Sequence, residues 1–171
     1  MPAIPGTWGP GGGPGRAALG GSVPRMATTW ADVTARLDQE LAGLGDGEFL
    51  VVGEPAAEPG PPRGLLRRRA PAPPRRYVQV RVAGAWGYAE CVGATRFGGE
   101  WPATPAQHDA LRALGWLAPG DADPTGTAPA YPNYWRTVPV AELPALASLG
   151  ARSLEVLGTD PAAVRVDRAR A

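Results

Sequence analysis

Residues that usually carry catalytic or metal chemistry are scarce in this chain of 171 residues. It has one cysteine, Cys91, and one histidine, His108. A single cysteine cannot form a disulfide within the chain, and a structural zinc site needs about four Cys or His ligands. The sequence therefore predicts no disulfide within the chain, no metal site and no bound cofactor.

Lysine is absent, and all 17 basic residues are arginines, against 16 acidic residues. The net charge of +1 creates no field that would favour nucleic acid or a membrane surface. No apolar run reaches the ~20 residues of a transmembrane helix. The first 25 residues also lack the apolar segment of a signal peptide. We therefore expect a cytoplasmic protein without a membrane partner.

Glycine and proline are abundant, with 24 and 21 residues, and they cluster in two segments. Residues 1–25 show no apolar periodicity, so they are either a disordered tail or the result of a start codon placed upstream of the true start at Met26. Residues 53–75 are predicted to form a Pro/Arg-rich loop inside a single domain that spans 26–165. Residues 166–171 are predicted to be a frayed C-terminus.

Apolar periodicity predicts three helices and about four strands. Thr29 caps the first helix, and Thr104 caps the second, which ends at Gly115. A third helix covers about 140–157. The predicted strands are residues 48–52, 76–83, 86–92 and 133–138. The fold class is therefore α+β, an antiparallel sheet with the N-terminal, middle and C-terminal helices packed on it.

The sequence gives Cys91 and His108 no catalytic context. His108 lies on the second helix without an orienting partner or a nucleophile, which is typical of a surface histidine. Cys91 lies on the small-residue face of a strand, which is typical of a buried thiol. An enzyme that uses both residues is the weakest of three hypotheses. We predict no catalytic residue and no enzymatic activity.

Three stretches of the chain resemble one protein family. They are TWADVTARLDQELAGL, RYVQVRVAGAWGYAECVG, and AQHDALRALGWLAP followed by PNYW and VAELPALASLGARSLEVLGTDPAAV. Together they resemble the TY-Chap N-terminal domain of actinobacterial proteins, a family grouped with type III secretion chaperones and YbjN-like proteins. The resemblance covers about residues 27–165, and the insertion 53–74 and Pro144 depart from it. It implies helices on one face of an antiparallel sheet, no enzymatic activity, and a dimer that holds a client segment.

The leading hypothesis is a non-catalytic, chaperone-like module that binds a protein. The partner is either a secreted or toxin-type client or a second copy of the chain in a homodimer. The candidate surface combines the outward sheet face with residues around a loop, namely Tyr77, Gln79, Arg81, Trp116, Tyr134 and Trp135. Trp116 also follows Gly115 where a Schellman motif places a hydrophobic residue over Leu111, which predicts burial in the core instead.

The alternative hypothesis is a nucleic-acid-associated protein that uses the Arg-rich loop 63–76. Arginines in this loop would contact phosphates. However, the loop has no interleaved aromatic residues on which bases could stack. Nucleic acid is therefore the less favoured partner.

Overall fold

The computed structural model describes residues 29–55, 73–127 and 132–170. The predicted tail 1–25 lies outside the described residues. So does most of the predicted loop 53–75. The described chain nevertheless contains every helix and strand that the sequence predicts.

Three α-helices match the predicted positions. Thr29 and Thr104 each begin a helix with a capping box, because their side chains accept a hydrogen bond from the backbone three residues on. Pro144 immediately precedes the third helix, since proline is tolerated only at the start of a helix. The helices are α1 (Trp30–Ala42), α2 (Pro105–Ala113) and α3 (Ala145–Val156).

Five strands form one sheet in the order β4-β3-β2-β1-β5, and each neighbouring pair is antiparallel. The strands are β1 (Glu48–Gly53), β2 (Tyr77–Ala83), β3 (Trp86–Cys91), β4 (Tyr134–Pro139) and β5 (Arg165–Arg170). The predicted α+β fold is therefore confirmed. The sheet has one strand more than the approximate number predicted.

The additional strand lies at the C-terminus, where residues 166–171 were predicted to be frayed. This prediction is wrong for residues 166–170, because β5 pairs with β1 from Glu48 opposite Arg170 to Gly53 opposite Arg165. Edge strands often carry charged side chains, which oppose pairing with other chains. An edge strand of this composition resembles a solvated tail when only its sequence is read.

The core lies between the sheet and the helices α1 and α3. Leu37 of α1, Leu154 of α3 and Val78 of β2 are all at least 98% buried there. At Gly150, α3 packs against both α1 and β2, since a Cβ at this position would lie in ordinary van der Waals contact with Leu37, at 3.6 Å, and with Val78, at 3.7 Å. Both helices cover the same face of the sheet. In the described chain the opposite face, here called the outward face, carries no helix.

Candidate protein-binding surface

The outward face is built by strand alternation. Along β2, Val78, Val80 and Val82 are buried, so Tyr77, Gln79 and Arg81 point to the other side, as predicted. On β3, Gly87 and Ala89 are buried under the helices, and Trp86 and Tyr88 therefore point outward. The two neighbouring strands thus present one continuous surface away from the core.

Two aromatic side chains stand out on this face. Trp86 is 47% exposed and Tyr88 is 40% exposed. Tyr88 is the direct neighbour of Arg81 across the β2–β3 pair, and Arg81 is in turn opposite Phe49 of β1. We define the outward patch as Phe49, Val51, Arg81, Trp86 and Tyr88. An exposed aromatic cluster beside an arginine is the composition that protein interfaces favour.

The sequence indicated the direction of Trp86 and Tyr88 but did not identify them as binding residues. Their alternation with Gly87 and Ala89 predicts that they share a face. Which face is exposed depends on the helices, which all pack on the other side of the sheet. The available signal was the small-residue side of β3, because glycine and alanine there leave room for helices.

Tyr77 and Gln79 lie on the outward face, but Tyr77 is engaged within the protein. The amide of Asn133 donates to Glu90 at 2.9 Å and to the Tyr77 hydroxyl at 3.4 Å. The Arg75 guanidinium also lies 5.1 Å from the centre of the Tyr77 ring. Partial burial raises the pKa of Tyr77 above its usual value. Tyr77 therefore borders the patch as a fixed residue, whereas Arg81 is exposed within it.

Trp116, Tyr134 and Trp135 do not belong to an accessible surface. They are 2%, 0% and 2% exposed. Trp135 points to the outward side of β4 and is nevertheless buried, and its backbone exchanges two hydrogen bonds with Leu117 at 3.0 Å each. These three residues cannot contact a partner directly in this conformation. Of the six predicted binding residues, Tyr77, Gln79 and Arg81 share a solvent-facing side.

The competing prediction for Trp116, burial by a Schellman motif, is confirmed. Its backbone N–H donates to the carbonyl of Leu111 and that of Gly115 donates to the carbonyl of Arg112, the two bonds that define this motif. Gly115 has a φ of +100°, which favours glycine. Trp116 then enters the same core cluster as Leu111.

The chemistry of Cys91 is that of a core residue. Cys91 is fully buried, and burial raises the pKa of its thiol far above the usual range. A thiol that stays protonated is a poor nucleophile. His108 instead forms a hydrogen bond through Nδ1 with the Tyr134 hydroxyl at 2.9 Å. Within the described residues, no group of three or more His, Cys, Asp or Glu side chains could hold a metal ion.

The Arg-rich loop 63–76 is described only at its C-terminal end, and Arg63 and Arg67 to Arg69 lie outside the described residues. The described arginines both make internal contacts. Arg75 lies over Tyr77, and Arg76 forms an ion pair with Glu54 at 2.6 Å. Arg76 also lies 4.9 Å from the centre of the Trp101 ring. The nucleic-acid alternative depends mostly on arginines outside the described residues, and it stays a prediction.

A comparison with known proteins identifies the family of this chain. No helix in ranges 29–55, 73–127 and 132–170 is both long enough and apolar enough to cross a bilayer. No curated protein matches the chain, and no solved structure matches it. One family model, TY-Chap3, matches residues 24–169 and is described as "T3SS (YopN, CesT) and YbjN peptide-binding chaperone 3". This match confirms the TY-Chap resemblance seen in the sequence, and because it covers most of the chain, the protein belongs to the TY-Chap3 family of peptide-binding chaperones.

Proposed function

We propose that this protein is a non-catalytic, chaperone-like module that holds a segment of a client protein against its outward patch. The observation that carries this proposal is the exposure of Trp86 and Tyr88 on a sheet face that no described helix covers. The family description, which names peptide-binding chaperones, supports the same class of function.

The patch has properties that suit a peptide. Aromatic side chains offer a large contact area and lose little conformational entropy when they are fixed by a ligand. Covering each ring with an apolar client side chain would contribute on the order of 1–2 kcal/mol, given ~25 cal/mol for each Å² of apolar area buried. Arg81, directly opposite Tyr88, would donate hydrogen bonds to a client carbonyl or carboxylate. Binding of this kind rests on apolar contacts and hydrogen bonds and needs no catalytic residue.

The proposed client is a secreted or toxin-type protein that is held in the cytoplasm before its release. A client in an incompletely folded state exposes apolar side chains, which the outward patch would cover. Self-association into a homodimer is the other protein contact proposed for this surface. Sedimentation of the purified protein separates the two, since a dimer would form without any added client.

The direct test is selection of a displayed random peptide library on the full chain. The binding of enriched peptides is then measured by fluorescence anisotropy with wild type and with a Trp86→Ala/Tyr88→Ala variant. We expect the variant to bind at least about tenfold more weakly, because aromatic contacts at an interface centre often contribute ~2 kcal/mol or more. Phe97→Leu is the matched control, since Phe97 is an exposed aromatic residue outside the sheet. A selection that enriches no peptide would refute the proposal.

A further inference from the structure

A second surface lies at the β4 edge of the sheet, on the side of the helices. It is an open groove of about 230 Å³ between β4, the end of α2 and the start of α3. This volume is below the ~300–1,000 Å³ of typical small-molecule sites. It suits one or two side chains of a bound peptide. The residues of its lining that matter here are Leu114, Arg136, Val138, Glu142, Leu149 and Arg152.

The lining combines apolar side chains with positive charge. Leu114, Val138 and Leu149 provide apolar contacts, and Leu114 and Leu149 are only partly buried. Arg136 and Arg152 outnumber the single carboxylate, Glu142, so the groove carries a net charge of +1. In the part of the chain that the structure describes, neither arginine forms an ion pair. The groove therefore lacks a countercharge for one of its arginines.

β4 is an edge strand of the sheet, and it contributes Arg136 and Val138 to the lining of this groove. Trp135 bonds to Leu117 on the side of β4 that faces away from β3. In an antiparallel strand the direction of these groups alternates, so Thr137 presents its N–H and C=O to the same side. Among the described residues, no backbone hydrogen bond joins Thr137 to a segment on this side. The chain before Leu117 enters α2 instead, and the Gly115 carbonyl accepts a hydrogen bond from the Arg136 guanidinium at 3.4 Å. Pro139 has no N–H, which limits the free edge to about three residues.

We propose that this groove binds an extended client segment that continues the β4 edge past Leu117 and carries an apolar and an acidic side chain two residues apart. Residues two apart on a strand point to the same side. The apolar side chain would lie over Val138 and Leu149, and the acidic one would pair with Arg136 and Arg152. Thr137 supplies the backbone hydrogen bonds of β-addition. The inference takes the peptide-binding role from the proposed function, but it concerns a separate surface from the outward patch.

The test is an NMR titration of the full chain, labelled with ¹⁵N, with two short probes. The acidic probe is Ac-Thr-Glu-Thr-Leu-Thr-Glu-Thr-NH₂, and the matched basic probe has Lys in place of both Glu. We expect the acidic probe to shift the amide signals of Thr137 and Leu149. The basic probe should bind about tenfold more weakly or more, since the charge-assisted hydrogen bonds are lost.

A charge-reversal variant tests whether an arginine of the groove contributes to binding of the acidic probe. Arg152 is exposed on α3, so Arg152→Glu should keep the fold and weaken the acidic probe about tenfold. Arg36→Glu on α1 is the matched control and should leave binding unchanged. Equal binding of both probes, or an Arg152→Glu variant that binds as wild type does, would overturn the inference.

The two proposals fail separately. If the acidic probe shifts only Trp86 and Tyr88, the groove proposal is wrong and the outward patch is supported. If the Leu149 shifts persist in the Trp86→Ala/Tyr88→Ala variant, the groove binds independently of the patch. If the acidic probe shifts neither surface, the groove proposal is overturned, and the library selection decides the outward patch on its own.

Discussion

Trp116 shows how one side chain joins two helices. Its indole N–H donates to the Ser153 hydroxyl at 2.7 Å, and Ser153 donates in turn to the Leu149 carbonyl at 2.7 Å. Ser153 is fully buried, yet both polar groups are satisfied. The indole thus packs in the core and also fixes the chain after α2 to the middle of α3.

Trp116→Ala is expected to cost about 3–5 kcal/mol in the free energy of unfolding, because it leaves a large cavity. That is a large share of the ~5–15 kcal/mol that stabilises a small domain. Trp116→Phe keeps a ring in place and leaves the Ser153 bond to Leu149, so its cost should be about 1–2 kcal/mol. Urea unfolding monitored by circular dichroism measures both values. An alanine variant that unfolds at the wild-type midpoint would show that the site is not packed as described.

His108 is expected to make stability depend on pH. Partial burial, followed by the nearby positive charge of Arg96, lowers its pKa below 6.5, and Asp109 opposes this effect. The folded protein therefore binds fewer protons at this site than the unfolded chain. Stability from His108 is complete above about pH 6.5 and is lost as the pH falls through the lower, folded value.

The measurement is urea unfolding between pH 5 and 8 for wild type and His108→Gln. The variant lacks the titrating group, so the fall in its stability below pH 6.5 should be shallower. Arg112 and Asp121 also face His108, and both remain in the variant. Identical pH profiles for the two proteins would contradict this prediction.

At the scale of secondary-structure elements, Arg76 connects the start of β2 to the end of α3 through hydrogen bonds. Its guanidinium donates to the Leu157 carbonyl at 3.3 Å and also to the Gly158 carbonyl. It pairs with Glu54 and lies over Trp101 as well. A cation at a helix C-terminus is favourable because the carbonyl groups there lack partners within the helix. One side chain therefore joins a strand, a helix end and a connecting segment.

Arg76→Lys should destabilise the protein by about 1–3 kcal/mol, since an ammonium group cannot reproduce several planar contacts at once. The ion pair is partly exposed, so screening keeps this value below that of a fully buried pair. Arg75→Lys is the matched control next in sequence, and it should change stability by less than about 0.5 kcal/mol. Thermal melts of the two variants compare them. Equal melting temperatures would mean that the contacts of Arg76 contribute nothing measurable to stability.

β5 is expected to be required for a stable sheet. Deleting residues 165–171 removes six residue pairs with β1 and leaves the β1 edge open. At ~0.5–1.5 kcal/mol for each backbone hydrogen bond, the loss should be on the order of 3 kcal/mol or more. The truncated chain should also aggregate, because an unpaired edge invites pairing with other chains.

Deletion of residue 171 alone is the control for this truncation, because it leaves β5 complete. Urea unfolding and light scattering are the measurements. If the long truncation has the same stability as the short one, these residues contribute no more than the frayed end that the sequence predicted.

At the scale of the whole molecule, local signals predicted most of the fold. The two capping boxes and the alternation of β2 and β3 are read within about ten residues, and the elements lie where they predicted. Trp135 is buried and pairs with Leu117, which is distant in sequence, and no local pattern predicts either fact. The groove beside Arg136 is likewise formed by three elements far apart in sequence. Local sequence therefore predicts the positions of helices and strands better than it predicts which side chains remain exposed.

The described residues form a hydrophobic core of their own, so we expect residues 1–25 to add nothing to the stability of the domain. The sheet, α1 and α3 bury their apolar faces against one another. The family match begins at residue 24, and α1 begins at Trp30. Deleting residues 1–25 should therefore leave the melting temperature unchanged within error, because those residues show no periodic apolar face.

The control for this deletion is the Trp86→Ala/Tyr88→Ala variant made in both the full and the shortened chain. Both lengths should melt alike, with or without the two aromatic residues of the outward patch. A drop of several degrees on deletion would show that Trp8 or Leu19 docks on the domain. If that drop disappears in the patch variant, the outward patch is where the segment docks, and a client would then have to displace it.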